Sequence, residues 1–464
     1  MSERVVSGAL LHHFSEILNT YFSDSGKVPS PNGVAVAYSG GLDSSVLLSL
    51  TAQYCADRDI PLTAFHVHHG LSPHADAWLS HCQSVCERLG VRFFFEKIVV
   101  SADGEGIEGS ARKGRYLALG RMSTLSNIDI ILAAHHQDDQ AETLLMQMLR
   151  GSGIAGLSGM DRFNVAPSLF GVPHVMMMRP LLDVSRAELE CFAVDHQTAY
   201  IQDESNDDVR FLRNALRHQV MPALEKISPG FAARMSRTSK HMQSTLQLIE
   251  DLAQQDLSLG LSLEDGSLDL DAIRHLSGDR IGNLFRLWLR TSGTRMPSTS
   301  RLNEIKRQLF EAKGDARITI YHEKLAIHRY KNRIYAASKD LEHDDGDVNV
   351  MFKWSGQESI AFPQFHGTLH CRVGSRGFDP AWLSSQSLCL HLRRGGERLK
   401  LAENRSTRDM KSHYQALHIP FWLRQQLPFV SVGDQLLFAA GVGMQSKFCN
   451  SDGADRIIFE WVAD

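Results

Sequence analysis

The stretch whose reading decides the fold is Val34–Leu50, VAVAYSGGLDSSVLLSL. Val34-Ala35-Val36-Ala37 is an apolar run of strand length, and Val46, Leu47, Leu48 and Leu50 then take up a helical pattern. Between them lies Ser39-Gly40-Gly41-Leu42-Asp43-Ser44. The glycines let the backbone turn sharply and bring its N–H groups close to a ligand. The N-terminus of the following helix adds partial positive charge, so the turn favours a phosphate. Ser39 and Ser44 offer hydroxyl donors, and Asp43 is a hard oxygen ligand suited to magnesium. Strand, phosphate nest and helix in this order predict a nucleotide site at the carboxyl end of a parallel sheet.

The turn lacks the Gly-Lys-Ser/Thr ending of the common phosphate loop, so no lysine waits for the β and γ phosphates. It resembles instead the SGGxDS loop of the N-type ATP pyrophosphatases, which cleave ATP between the α and β phosphates. That resemblance implies adenylation of a substrate oxygen.

Working outward, residues 5–22 read as an opening helix, and Pro29-Ser30-Pro31-Asn32-Gly33 breaks it before the first strand. Leu62–Val67 reads as a second strand, 75–89 as a helix, Val91–Val100 as a third strand and Ile128–Ala134 as a buried fourth. Strands alternating with helices at this spacing predict an α/β fold with a parallel, doubly wound sheet. His66, His68 and His69 cluster at the end of the second strand, where alternating side chains explain them better than a metal does. His66 is placed for stacking or hydrogen bonding near adenine.

Arg112 and Arg115 share a helix face and suit phosphate oxygens, although a solvated face explains them as well. The fourth strand runs into His135-His136-Gln137-Asp138-Asp139-Gln140-Ala141-Glu142-Thr143, a second polar strand-to-helix turn. His135, Asp139 and Glu142 fall at helical spacings and converge on one side. Asp139 or Glu142 suits magnesium or an ammonium group, and His135 suits a phosphate or a proton. Helix capping by Asp138 or Asp139 is the bland alternative.

Four blocks, in order, resemble the tRNA(Ile)-lysidine synthetases: HVHHGLSPHADAW (66–78), AHHQDDQAETLLMQMLRGSGIAGLSGM (134–160), RPLLDVSRAEL (179–189) and DESNDDVRFLRNALRHQVMP (203–222). His68 departs from the family, many of whose members have asparagine there. The last block places Asp203, Ser205 and Asn206 in a turn, with Arg210, Arg213 and Arg217 along one side of the following helix. Such a stripe can neutralise RNA phosphates, or simply face solvent.

From Leu224 amphipathic helices dominate, and the apolar spacing of Ile281–Leu289 reads as core. A helix after Pro297 and strands at 317–321 and 324–330 follow, in a segment that resembles the family's small substrate-binding domain. Lys339–Asp347 is acidic and poor in apolar residues, which marks a linker or surface loop. Short alternating strands follow, and Arg393–Lys411 gathers Arg393, Arg394, Arg398, Lys400, Arg405, Arg408 and Lys411. The Arg-Arg-Gly-Gly-Glu-Arg stretch resembles the family's C-terminal tRNA-binding domain. Expected borders are therefore 1–222 for the ATP pyrophosphatase domain and 223–338 for the helical substrate-binding domain. A linker region at 339–386 and a small α+β tRNA-binding domain at 387–464 complete the expectation.

Composition sets limits on function. With 464 residues the chain is too long for one core. A net charge of −4 argues against global nucleic-acid affinity, so RNA must meet local basic patches. No apolar run is long enough to span a membrane, and the start is neither a signal nor a transit peptide, so a cytosolic location is expected. The seven cysteines are scattered, with no CxxC, and read as reduced thiols.

The resemblance implies two steps. ATP adenylates C2 oxygen of the first-anticodon-position cytidine in an isoleucine tRNA bearing CAU, releasing pyrophosphate. Free lysine then attacks that carbon, giving lysidine and AMP. It implies ATP and Mg2+ as cofactors, with Ser39, Gly40, Gly41, Leu42, Asp43, Ser44 and His66 at ATP and Asp43 on the metal. Asp43, Arg112, His135, Asp139 and Glu142 would form the catalytic set, and Arg213, Arg217, Arg393, Arg394 and Arg398 would meet tRNA. A homodimer is compatible with the sequence. Two rivals stand beside this reading: a tRNA thiolase on the same loop, which needs catalytic or cluster-binding cysteines not evident here, and an RNA-binding protein that only senses ATP.

Overall fold

The computed structural model describes residues 3–24, 32–70, 72–99, 106–204, 208–294, 296–311, 318–339, 348–449 and 455–463. The expected breaker at Pro29-Ser30-Pro31, the cap residues Ser205 and Asn206, and residues 340–347 of the acidic run lie outside them. The chain divides into two units, Met1–Ile249 and Glu250–Asp464.

In the first unit α1 (Glu3–Asp24) precedes β1 (Val34–Ala37), followed by α2 (Leu42–Ala56), β2 (Leu62–His68), α3 (Ala75–Leu89) and β3 (Arg92–Lys97). Then come α4 (Gly106–Ser126), β4 (Ile130–Leu132), α5 (Gln137–Leu149), α6 (Ile154–Leu157), β5 (Phe163–Val165), α7 (Pro167–Phe170), β6 (Met176–Met178) and α8 (Arg186–Asp195). Among the described residues the sheet runs β3-β2-β1-β4-β6-β5, parallel throughout except where β5 pairs antiparallel with β6.

Alternation along β1 sends its side chains to two cores. Val34 and Val36 join Phe14, Leu47, Cys86 and Phe192, from α1, α2, α3 and α8. Ala35 joins Phe65, Tyr116, Met122 and Phe170, on the other face. Both faces are covered, as a doubly wound sheet requires. The chain steps from β1 to β2 and β3 in one direction, then returns to place β4 on the other side of β1. That reversal opens a crevice at the carboxyl ends of β1 and β4. The third strand is shorter than expected and lies at the sheet edge, which leaves Phe94 and Phe95 exposed.

After α8 the chain passes Ile201, which bridges back to Gly41. It then forms α9 (Leu212–Ala215), a π-helical stretch at Leu216–Val220, α10 (Met221–Ile227) and the long α11 (Phe231–Gly260). The expected regular helix with an arginine side is thus interrupted by a wider turn, a device common at functional sites.

The second unit takes α11 from Glu250 onward and continues with β7 (Leu268–Asp269), α12 (Leu270–Ile273), α13 (Gly278–Thr291), α14 (Thr299–Glu311), β8 (Ile318–His322), β9 (Leu325–Tyr330) and β10 (Arg333–Ser338). Leu284, Phe285, Trp288 and Leu289 of α13 bury against Ile305, Leu309 and Ile327, so the helical spacing read as core is core. Next come β11 (Asn349–Phe352), β12 (Ser359–Phe362), β13 (Gly367–Gly374), α15 (Pro380–Ser385), β14 (Leu388–His391), β15 (Arg398–Leu399) and β16 (Arg408–Asp409). The chain ends with α16 (Met410–Ala416), β17 (Phe429–Val432), β18 (Gln435–Ala439), β19 (Gly443–Met444) and β20 (Arg456–Ala463).

Within the stretch expected as linker, 339–386, the structure differs. β11 pairs with β14, and β13 pairs with β20 along its whole length, so these residues are sheet, not spacer. Their apolar side chains, Phe362, Phe365, Leu369 and Phe378, enter the same core as Leu388 and Phe438. The acidic run that suggested a linker ends before the first of these strands.

Candidate active site

β1 hands the chain through Tyr38 into the glycine turn. Gly40 has φ +88°, a conformation side chains rarely adopt. Its carbonyl accepts from Ile201 N at 2.9 Å and Ser45 Oγ at 3.3 Å. A Cβ on Gly40 would lie 2.7 Å from Cys82 Sγ and 3.0 Å from Ile201 Cδ1, so the turn is pressed between α3 and the returning chain. Ser44 Oγ donates to Gly41 O at 3.0 Å, accepts from Ser39 N at 3.3 Å and lies 3.1 Å from Ser39 Oγ. Gly41 caps α2 without a side chain, which leaves the first N–H groups of a 15-residue helix directed at a ligand. His66 is buried beneath the turn with Nδ1 2.9 Å from Tyr38 O, and burial holds its pKa below the ordinary value. Its ring therefore supports the strand end that launches the turn.

Asp43 lies in the first turn of α2, and its Oδ1 is buried without a hydrogen-bond partner. Its Oδ2 lies 3.7 Å from both His136 Nε2 and Arg186 Nη1. His136 is fully buried, 3.5 Å from Asp139 and 3.6 Å from Asp138. Burial opposes charge on this ring, but Asp139, Asp138 and Asp43 outweigh it and push its pKa up to about 10. An imidazolium thus ties the phosphate turn to the start of α5. The tie is reinforced where His136 N donates to Asp139 Oδ2 at 3.1 Å and Arg186 N donates to Asp138 Oδ2 at 2.9 Å.

His135 behaves in the opposite way. Burial, with Arg179, Arg213 and Arg112 adding and Asp139 opposing, takes its pKa down to about 3. Arg179 Nε donates to His135 Nδ1 at 3.1 Å, which makes Nε2 the protonated nitrogen. The ring is neutral and presents an N–H.

Asp139 and Glu142 are buried on α5. Arg213 reaches Glu142 Oε2 at 2.7 Å and Asp139 Oδ1 at 2.8 Å, and Arg217 reaches Glu142 Oε1 at 2.6 Å and Asp139 Oδ1 at 3.2 Å. Burial resists the charge of Asp139, but His136, Arg213 and His135 keep its pKa well below the carboxylate range. Arg213 and Arg217 therefore turn inward, while Arg210 stays exposed on Asp208. Arg217, four residues after Arg213, faces the same two carboxylates from the π-helical stretch.

Ser39–Ser44, His66, His135, Asp139, Glu142, Arg213 and Arg217 thus gather in the first unit. Arg112 is exposed on α4, and its charge still bears on His135 and Arg179. Arg393, Arg394 and Arg398 are exposed in the second unit, around the β14–β15 turn. Sequence reasoning missed His136, Arg179 and Arg186. The signal available was that all three fall inside the polar blocks already singled out.

Among the described residues no group of three or more His, Cys, Asp or Glu is arranged to hold a metal ion. The orphaned Asp43 Oδ1 fits magnesium, which takes one or two carboxylates together with phosphate oxygens and water. No described helix is long and apolar enough to cross a membrane.

Three segments of the chain match known protein families. Residues 10–224 match the PP-loop domain family, 268–335 the TilS substrate binding domain and 388–461 the TilS substrate C-terminal domain. The tRNA(Ile)-lysidine synthase of Burkholderia pseudomallei is 37% identical over 459 residues, covering 92% of each chain. That of Coxiella burnetii is 31% identical over 433 residues, covering 93% of this chain and 92% of its own. Among solved structures, the U34-tRNA thiolase NcsA of Methanococcus maripaludis aligns at a TM-score of 0.42 and 19% identity, over 52% of this chain and 80% of its own. A likeness that low leaves the assignment to the sequence relatives. By the identity and coverage of those relatives, the chain belongs to the tRNA(Ile)-lysidine synthase family.

Proposed function

We propose that this chain ligates lysine to C2 of the first-anticodon cytidine of a CAU-bearing isoleucine tRNA, through an adenylated cytidine, with release of pyrophosphate and AMP. The observation that carries it is the joining of two strand-end motifs at one crevice, where Asp43 of the phosphate turn meets His136 and Arg186. Full-length likeness to tRNA(Ile)-lysidine synthases supports the same reading. The donors of the turn and the N-terminus of α2 receive the pyrophosphate of ATP. Asp43 holds magnesium, which when bound neutralises phosphate charge. Neutral His135, with Nε2–H outward, donates to a phosphate oxygen, and Arg112 adds charge beside it. Asp139 and Glu142 are the acids available to a lysine ammonium once Arg213 and Arg217 move towards tRNA. The enzyme acts in the cytosol, and a homodimer is compatible with its sequence. Residues 1–222 carry the ATP chemistry, 223–338 position the substrates, and the strand-rich module from Val348 to the C-terminus contacts tRNA.

The thiolase alternative finds no support in the one pair of cysteines close in sequence. Cys82 and Cys86 are buried, and burial pushes both up to about 12, far from a nucleophilic thiolate. The test is incorporation of radiolabelled lysine into isoleucine tRNA with a CAU anticodon. Incorporation is expected with ATP and not without it, and not into the methionine tRNA with the same anticodon. Transfer of sulfur instead of lysine would overturn the reading.

A further inference from the structure

The β14–β15 turn, Arg393-Arg394-Gly395-Gly396-Glu397, is built around an anion. Gly395 and Gly396 have φ +94° and +85°, which curls the backbone so that successive N–H groups point inward. Arg394 N donates to Glu397 Oε1 at 2.5 Å, and Gly395 N donates to Oε1 and Oε2 at 3.0 and 2.9 Å. Arg393 Nε stands 3.9 Å from Oε2. The carboxylate is only 12% exposed, although the turn around it is open, and a Cβ on either glycine would meet nothing within 4 Å. Beneath it the Tyr414 hydroxyl is buried without a hydrogen-bond partner, within electrostatic reach of Arg393 and Glu397. Arg398 and Arg394 flank the turn, tied to Thr407 O and Asn349 Oδ1.

We propose that this turn is a seat for an RNA backbone phosphate, and that Glu397 fills it as a resident surrogate while RNA is absent. The inference rests on the reading of this module as tRNA-binding. Carboxylate and phosphate are both oxyanions that accept from paired backbone N–H groups and arginine forks. An incoming phosphate takes the N–H groups of Arg394 and Gly395 and the Arg393 guanidinium, and Glu397 swings to solvent. A small free anion gains too little to displace a tethered carboxylate. An RNA backbone that engages several neighbouring cations at once gains enough. The surrogate thus keeps the seat closed to the anions of the cell and opens it to a polyanion.

The test compares tRNA affinity, by fluorescence anisotropy over a salt series, for wild type, Glu397→Gln and Glu403→Gln. Glu403 is an exposed acid of the same basic patch outside the turn, so its variant corrects for the loss of one negative charge. Glu397→Gln is expected to bind about three- to tenfold more tightly, the scale of one charge-assisted contact. Its log–log salt slope should stay close to that of wild type, because the same phosphate is seated in both complexes and only the eviction of Glu397 is spared. Glu403→Gln should gain less than about twofold, the effect of a screened distant charge. Adding Arg393→Gln should abolish the gain. Equal gains in both glutamine variants, or weaker binding by folded Glu397→Gln, would overturn the proposal and leave Glu397 as a clip that only stabilises the turn. If Glu397→Gln does not fold, Glu397→Ser withdraws the same charge with less bulk and reads the same outcomes. Wild type that binds no tRNA would instead overturn the parent reading.

Discussion

Asp43 stands with one oxygen unpartnered and the other facing an imidazolium and a guanidinium. Asp43→Ala should abolish pyrophosphate release while tRNA binding persists, and ATP consumption at the wild-type rate would refute its role. A pH effect follows from His69, whose Nδ1 is buried without a partner. Burial, with Arg115, His66 and His68 adding, lowers its pKa from 6.5 to about 4. A depressed histidine contributes stability that is present above its ordinary value and lost as pH falls through the folded one. Urea unfolding should therefore show wild type losing stability between pH 6.5 and 4, and His69→Gln losing less over the same interval. At this scale the sequence displayed residue types well and orientation poorly. His135 and His136 are neighbours of identical chemistry, yet one is neutral and the other charged. Asp139 and Asp138, with distant Asp43 adding, favour the charge on His136, whereas burial with distant Arg179 and Arg213 holds His135 neutral, and no local pattern tells the two rings apart.

The phosphate turn was legible because everything that makes it is local: an apolar strand, two glycines and a helix start within one stretch. Gly40→Ala should cost about 2–4 kcal/mol, from left-handed strain and overpacking against Cys82 and Ile201. A thermal melt and an ATP-binding titration would check it, and unchanged binding would refute the close fit. β6 was not legible. Met176–Met178 is three residues of one type, with neither alternation nor β-branching, and it becomes a strand only because β4 and β5 flank it. The third strand was legible as an element, but its exposed phenylalanines follow from its position at the sheet edge. Arg213 and Arg217, four apart, share a face as helical spacing predicts, but that this face turns inward onto Asp139 and Glu142 is a long-range pairing the spacing does not encode.

On the scale of the whole chain, a net charge of −4 makes RNA affinity depend on where cations lie rather than on how many there are. Replacing Arg393, Arg394 and Arg398 together by glutamine should lower the salt slope of tRNA binding by about 2, at roughly 0.7 per lost phosphate contact. The same titration should leave lysine-independent ATP binding unaltered, and an unchanged slope would remove these residues from the interface. The alternation of strands and helices revealed the catalytic unit, whereas the C-terminal module rests on long-range pairings such as β13 with β20, which the sequence does not announce. One contact also offers a clock. Cys82 is sealed from solvent against the Gly40 turn, and its thiol is pushed up to about 12, so alkylating reagents meet it only when α3 lifts away. In a background with the more accessible Cys191 and Cys389 replaced by serine, the labelling rate would time the opening of the catalytic unit. ATP should slow that labelling, which turns an inert sulfur into a gauge of how often the empty enzyme breathes.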